Sequence, residues 1–339
     1  MKHWVLSSSC LIAVFILAIG IRSTGHAQSF TVMMYLPSIR YDYPCSSVAM
    51  PLITQPATQE RIAFFYSNNQ LPDSTPDLYM ANADNTGFTR LTNDSAAESR
   101  PTWSPDGTRI AYVSAVGQSV ELKVLQLSNQ QVTTIYTWTG RIFNEDPAWS
   151  PDGKQIAFTM STPSQSGRNI AVIQADGRKL RNLTNTGTDS WPSWSPDGSR
   201  IVFTSYRGGM SHLYVMQADG TQQIQLTNEP VWDSEPAWSP DGSRIAFQSG
   251  CVDLSYGGRQ SIYIIHPDGS GRVHMPIPAD IYSDTYSNQT QPSWSPDSTR
   301  IAFAHGFYKG GGIYIVNLDG SGYSVFGANL DSAPSWAPR

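Results

Sequence analysis

An all-β, six-bladed β-propeller is the fold this sequence predicts, and three observations predict it. A Pro-x-Trp-Ser-Pro-Asp segment recurs at Pro101, Pro147, Pro192, Pro236 and Pro292, with a shortened copy at Pro334. Those prolines stand 46, 45, 44, 56 and 42 residues apart, and a period in the forties built of short strands marks sheets repeated around an axis. Six of the ten tryptophans fall on one motif position, two residues after the proline.

Each repeat yields its elements in order. Pro-x-Trp, as in Pro192-Ser-Trp194, makes a short first strand. Ser-Pro-Asp-Gly makes a turn: proline presets φ, aspartate bonds the backbone beyond it, and glycine accepts positive φ. The second strand is of the type Arg244-Ile-Ala-Phe247, where Ile and Phe share one face and Ala takes the other. A third strand, such as Leu213–Met216 or Ile313–Val316, runs into a second tight turn at Asp219-Gly220 or Leu318-Asp-Gly320. A fourth, such as Gln223–Thr227, completes the sheet; alternation and β-branched content favour strands throughout. Arg61-Ile-Ala-Phe64 is a second strand lacking a first, and Pro334-Ser-Trp336 is a first strand lacking a second. One blade is therefore expected to be shared by the two ends, closing the ring without a long open edge.

Charged residues make up 14% of the chain and Gly (27) and Pro (23) are abundant, which excludes a coiled coil or helical bundle. Ten Trp, 16 Tyr and 12 Phe exclude outright disorder. Residues 1–27 read as a signal peptide: Lys2 and His3, an apolar run from Val5 to Ile21, and a small-x-small site at Gly25 and Ala27. An uncleaved anchor is the alternative, since the run is long enough to span; after cleavage nothing membrane-spanning is expected. The formal charge is −5 and becomes −7 once Lys2 and Arg22 leave. Without a basic run, nucleic acid is not an expected partner. Residues 28–58 read as an extended N-terminal arm and 59–339 as the propeller. Cys10 lies in the leader; Cys45 and Cys251 remain, either as a disulfide across a long loop or as two free thiols.

These motifs resemble the repeats of the TolB family of propellers, related to the wider WD-type group. The likeness runs from about Glu60 to Arg339. It implies an exported, periplasmic or secreted protein that binds an envelope partner, such as a peptidoglycan-associated lipoprotein or TolA. In that family an α/β domain precedes the propeller; residues 28–58 are too short for one. Hydrolases of the prolyl-oligopeptidase type carry similar propellers, but no Gly-x-Ser-x-Gly elbow occurs here.

Strand direction alternates, so the near-identical Ser-Pro-Asp-Gly and Asp-Gly turns share one face. The variable inter-blade and second-to-third loops share the other, where binding is expected. Three residues before each motif proline stand Glu98, Asn144, Asp189, Asp233, Gln289 and Asp331. They either bond backbone at the start of the innermost strand or ring one mouth of the channel, where carboxylates would suit a basic group or calcium. Trp191 and Trp232 are the aromatic candidates for an exposed contact, because Trp194 and Trp238 already supply the inter-blade position. Arg61, Arg109, Arg200, Arg244 and Arg300 are expected to make surface ion pairs with the turn aspartates. His212, His266, His274 and His305 share no motif position, so no catalytic residue and no cofactor is assigned. The expectation is a monomeric, non-enzymatic module that binds a protein or peptide; the alternative is a carbohydrate-binding or polysaccharide-lyase propeller using the channel mouth.

Overall fold

The computed structural model describes residues 60–66, 75–139, 146–162, 165–250, 260–275, 289–305, 312–328 and 333–338. The expected leader and arm lie outside them, as do Cys45, Cys251, Asn144 and Asp331. Every regular element among the described residues is a strand, and the strands form six four-stranded antiparallel sheets.

The first blade holds β1 (Arg61–Tyr66), β2 (Asp77–Asn82) and β3 (Thr89–Arg90). The second holds β4 (Ala97–Trp103), β5 (Arg109–Val116), β6 (Ser119–Gln126) and β7 (Gln131–Thr139). The third holds β8 (Ala148–Trp149), β9 (Gln155–Thr162), β10 (Gln165–Gln174) and β11 (Arg181–Asn182). The fourth holds β12 (Asp189–Trp194), β13 (Arg200–Ser205), β14 (His212–Gln217) and β15 (Ile224–Gln225). The fifth holds β16 (Trp232–Trp238), β17 (Ile245–Gly250), β18 (Gln260–Ile265) and β19 (Val273–His274). The sixth holds β20 (Gln289–Trp294), β21 (Arg300–His305), β22 (Gly312–Asn317) and β23 (Tyr323–Ala328). The last strand, β24 (Ser335–Trp336), pairs antiparallel with β1, Ile62 opposite Trp336 and Ala63 opposite Ser335. The shared blade expected from the two ends is thus formed. The outermost strands β3, β11, β15 and β19 have shrunk to two residues each, which leaves little open edge.

The core lies between blades. Ile62, Ile110, Ile156, Ile201, Ile245 and Ile301 of the second strands are fully buried. The alanine between Ile and Phe is the small residue on which the next blade's tryptophan packs: Ala63 with Trp103, Ala111 with Trp149, Ala157 with Trp194, Ala246 with Trp294 and Ala302 with Trp336. Val202 takes that place under Trp238. The arginine that opens each second strand lies over the same indole, its guanidinium carbon 4.5–5.2 Å from the ring centre at Trp103, Trp149, Trp238, Trp294 and Trp336. The expected ion pairs with turn aspartates are present at Arg109 and Arg300, at 3.7 and 3.8 Å. The stacking between blades is the added role. Only blade three departs, with Gln155 standing where the others have arginine.

The Ser-Pro-Asp-Gly turns are held alike. In blade four Ser195 Oγ donates to Asp197 Oδ1 at 2.6 Å and accepts from the Arg200 amide at 2.9 Å. Asp197 also accepts from the Ser199 amide at 3.0 Å. The Ser195 hydroxyl, then the Ser199 amide and hydroxyl, hold the Asp197 carboxyl down at about 2. In blade six a serine replaces glycine: Ser298 takes φ of 59°, and its hydroxyl accepts from the Asp241 amide of blade five at 3.1 Å. At the second turn of blade four the glycine is obligatory on steric grounds. A Cβ on Gly220, at φ of 91°, would sit 2.8 Å from the Leu183 carbonyl of blade three.

Two measurements test this packing. Trp336→Ala removes a side chain 6% exposed at the closure of the ring and is expected to cost about 3–5 kcal/mol in urea unfolding. Gln155→Arg places a guanidinium over Trp194 and should add about 0.5–1 kcal/mol. In a Trp194→Leu background that gain should vanish.

Candidate functional site

The innermost strands are not regular. In β4, β12, β16 and β20 the pairing with the second strand slips between Ser99 and Thr102, Ser190 and Ser193, Ser234 and Ala237, and Thr290 and Ser293. At each slip the residue before the motif proline adopts a left-handed backbone: Arg100 at φ 57°, Trp191 at 54°, Glu235 at 54° and Gln291 at 60°. A bulge of this kind bends the strand and re-aims one side chain. Left-handed backbone at a non-glycine residue costs on the order of 1–3 kcal/mol, and such strain gathers at functional sites. Fixed bonds hold it: the Trp191 amide donates to Thr159 Oγ1 at 3.1 Å, and the Gln291 amide donates to Glu235 Oε2 at 2.7 Å.

The re-aimed residues meet in a cavity of about 280 Å³ to which the innermost segment of every blade contributes, so it lies on the axis of the ring. Arg100, Asp146, Trp191, Glu235, Gln291 and Ala333 line it, one from each blade, with the motif prolines as its apolar wall. Arg100 Nη1 stands 3.1 Å from Asp146 Oδ1 and 4.0 Å from Glu235 Oε1. Asp146 Oδ2 is buried with no hydrogen-bond partner, and so is the indole N–H of Trp191. Burial raises the Asp146 carboxyl above the usual range, against the pull of Arg100. Burial likewise pushes the Glu235 carboxyl up to about 7, with Arg100 pulling down and Asp146 pushing further up.

The residues three before the proline sit elsewhere. Glu98, Asp189 and Asp233 are fully buried and Gln289 is 2% exposed, and none of them lines the cavity. Asp189 accepts from Arg207 Nη2 at 3.1 Å and from Thr186 Oγ1 at 2.5 Å. Asp233 accepts from Arg272 at 3.1 Å through both oxygens. Gln289 Oε1 accepts from the Ile262 amide at 3.2 Å. Glu98 accepts from Thr92 Oγ1 and leaves its other oxygen without a partner. Of these four, Gln289 alone bonds backbone; Asp189, Asp233 and Glu98 bond side chains instead. In a regular strand, positions two apart share a face; the intervening bulge parts them here.

The two aromatic candidates diverge. Trp191 is only 9% exposed and belongs to the cavity wall. Trp232 is 44% exposed and meets Tyr206 edge-on at 6.4 Å, while Arg168 lies 5.7 Å over the Tyr206 ring. Among the described residues no group of three or more His, Cys, Asp or Glu is arranged to hold a metal ion.

Six four-stranded blades around an axial cavity define the class, the six-bladed β-propellers. The sequence model of the TolB beta propeller domain matches residues 54–222 and 192–339, and the chain belongs to that family. Among curated proteins none matches it in sequence. TolB from Acinetobacter baumannii superposes with a TM-score of 0.71 at 23% identity, over 83% of this chain and 67% of that one. The putative TolB from Agrobacterium tumefaciens gives 0.60 at 19% identity, over 83% and 99%. A chain of the nidogen/laminin complex gives 0.60 at 12%, over 82% and 98%. At these identities the likeness is one of fold.

Glu98 supplies a test of the buried carboxylates. Burial, ahead of a lowering bond from Thr92, raises its carboxyl from 4.5 to about 7. The folded state then keeps a proton that the unfolded chain has already released, so this residue's contribution to stability falls as pH rises from 4.5 to about 7. Glu98→Gln should flatten that part of the decline and raise the urea midpoint at neutral pH, with least effect at the acid end.

Proposed function

We infer that this chain is an exported, envelope-associated propeller that binds a protein or peptide partner on the face bearing the inter-blade and second-to-third loops. Membership of the TolB propeller family supports a protein-binding, envelope-related role. The observation that carries the reading is the contrast between the two faces. On one, near-identical Ser-Pro-Asp turns are closed by their own serine and aspartate, with the bonding capacity largely spent within the turn. On the other, Trp232 stands 44% exposed beside Tyr206 and Arg168, and exposed Trp, Tyr and Arg are the residues that anchor protein contacts. Residence in the periplasm or outside the cell follows from the leader read in residues 1–27.

The test is calorimetric titration with the host's own peptidoglycan-associated lipoprotein. Binding is expected, and Trp232→Ala should weaken it by about tenfold, some 1.4 kcal/mol, with an unchanged melting temperature. Unaltered binding by Trp232→Ala counts against this face. Retention on a polysaccharide column with release by free sugar, and no lipoprotein binding, replaces the reading with the carbohydrate one.

A further inference from the structure

We propose that the axial cavity receives one ammonium or guanidinium group on an aliphatic stem: the end of a lysine or arginine side chain presented by the bound partner. This deepens the partner-binding reading and rests on it. Two carboxylates, Asp146 and Glu235, face one resident cation. Arg100 reaches Asp146 Oδ1 at 3.1 Å but stands 4.0 Å from Glu235, too far for a hydrogen bond. Asp146 Oδ2 is left buried without a donor. The site therefore lacks one positive donor, and an incoming cation placed between Asp146 Oδ2 and Glu235 supplies it.

The rest of the cavity fits the rest of such a side chain. Its wall includes a collar of prolines, among them Pro147, Pro192 and Pro236, which offers apolar surface to methylenes. Trp191, nine-tenths buried, lines the same space, and an indole face attracts a desolvated cation. Its N–H has no acceptor, a place for a carbonyl of the partner's backbone. An anion is disfavoured, because it would meet two carboxylates with the one guanidinium already engaged. Backbone strain points to the same spot. Arg100, Trp191 and Glu235 are held at φ of 54–57°, so three of the four side chains invoked sit on left-handed backbone.

The probes are butylammonium, propylguanidinium and Nα-acetyl-lysine methylamide, with butan-1-ol as the uncharged control. They are titrated at millimolar concentration into the full chain, with binding followed on the tryptophan indole resonances; the Trp191 signal is assigned by its loss in Trp191→Phe. Saturable shifts of that signal are expected with the cations and not with butanol. Stronger binding of the acetyl-lysine amide than of butylammonium marks a peptide-borne group as the occupant; the reverse order marks a free amine. Asp146→Asn and Glu235→Gln should each weaken butylammonium binding by about tenfold. Arg100→Gln, which removes the resident cation, should strengthen it. If Arg100→Gln does not fold, the two carboxylate variants decide. Equal binding of butanol, no saturable shift, or unchanged affinity in both carboxylate variants overturns the proposal. Binding of butylammonium by a chain that ignores the lipoprotein would sink the partner reading and leave the cavity site standing. Lipoprotein binding undisturbed by Asp146→Asn and Glu235→Gln would sink the site alone.

Discussion

Everything in this ring depends on one contact, the motif tryptophan wedged between its own blade and the one before. The indole packs on the small residue of the preceding second strand and is roofed by that strand's arginine in five of six interfaces. In three of the six its N–H reaches back to the preceding innermost strand: Trp103 to Ser335 O at 3.1 Å, Trp149 to Thr102 O at 3.3 Å, Trp294 to Ala237 O at 2.9 Å; Trp238 donates within its own blade, to Gly242 O at 3.3 Å, and the indole N–H groups of Trp194 and Trp336 are buried without an acceptor. Apolar contact, cation–π attraction and a hydrogen bond thus act at one joint. The sixth joint, Trp336 under Arg300, closes the circle.

That uniformity confines variation to a few places, and the residue before the motif proline is the most consequential. In blades two, four, five and six its backbone is fixed by the bulge and the proline that follows, and in all six blades the residue lines the axial cavity. The repeat therefore dictates where the side chain stands and leaves open what it is. Blades two to six place Arg, Asp, Trp, Glu and Gln there, and blade one places Ala. A symmetric scaffold thereby holds an asymmetric lining, which is what recognition of one group in one orientation requires.

The repeat, its turns and the closure by the two ends were legible because each rests on local chemistry that a short sequence window contains: proline and glycine torsions, the Ser–Asp bond, the apolar alternation of Ile and Phe. The cavity lining was not legible, for a geometric reason. Period-two alternation puts Asp189 and Trp191 on one face, and only the slip between Ser190 and Ser193 separates them. A bulge leaves no residue signature here beyond the proline already assigned to the motif. The fourth strands were legible in place but not in extent, since Gln223–Thr227 contributes only Ile224 and Gln225 to the ladder. The arginines were readable as partners of turn aspartates three residues away; that they also cover the next blade's indole is a long-range fact.

The position three before the proline then acquires its own logic. In blades four and five a long arginine crosses the aromatic pair of its blade, Arg207 over Phe203 and Tyr214, Arg272 over Phe247 and Tyr263, to end on the buried aspartate. The guanidinium tethers the first strand to strands two and three through a carboxylate that does not face solvent. Blade two has Glu98 in that place with no arginine on it; Lys123 is engaged by Ser114 and Glu121 instead. The unmet charge shows as the raised carboxyl of Glu98. An acidic residue at the same repeat position is therefore a latch in two blades, as Asp189 and Asp233, and a buried acid in a third, as Glu98. What sets the latches apart is one arginine distant in sequence, Arg207 or Arg272, so repeat position alone is no guide to role.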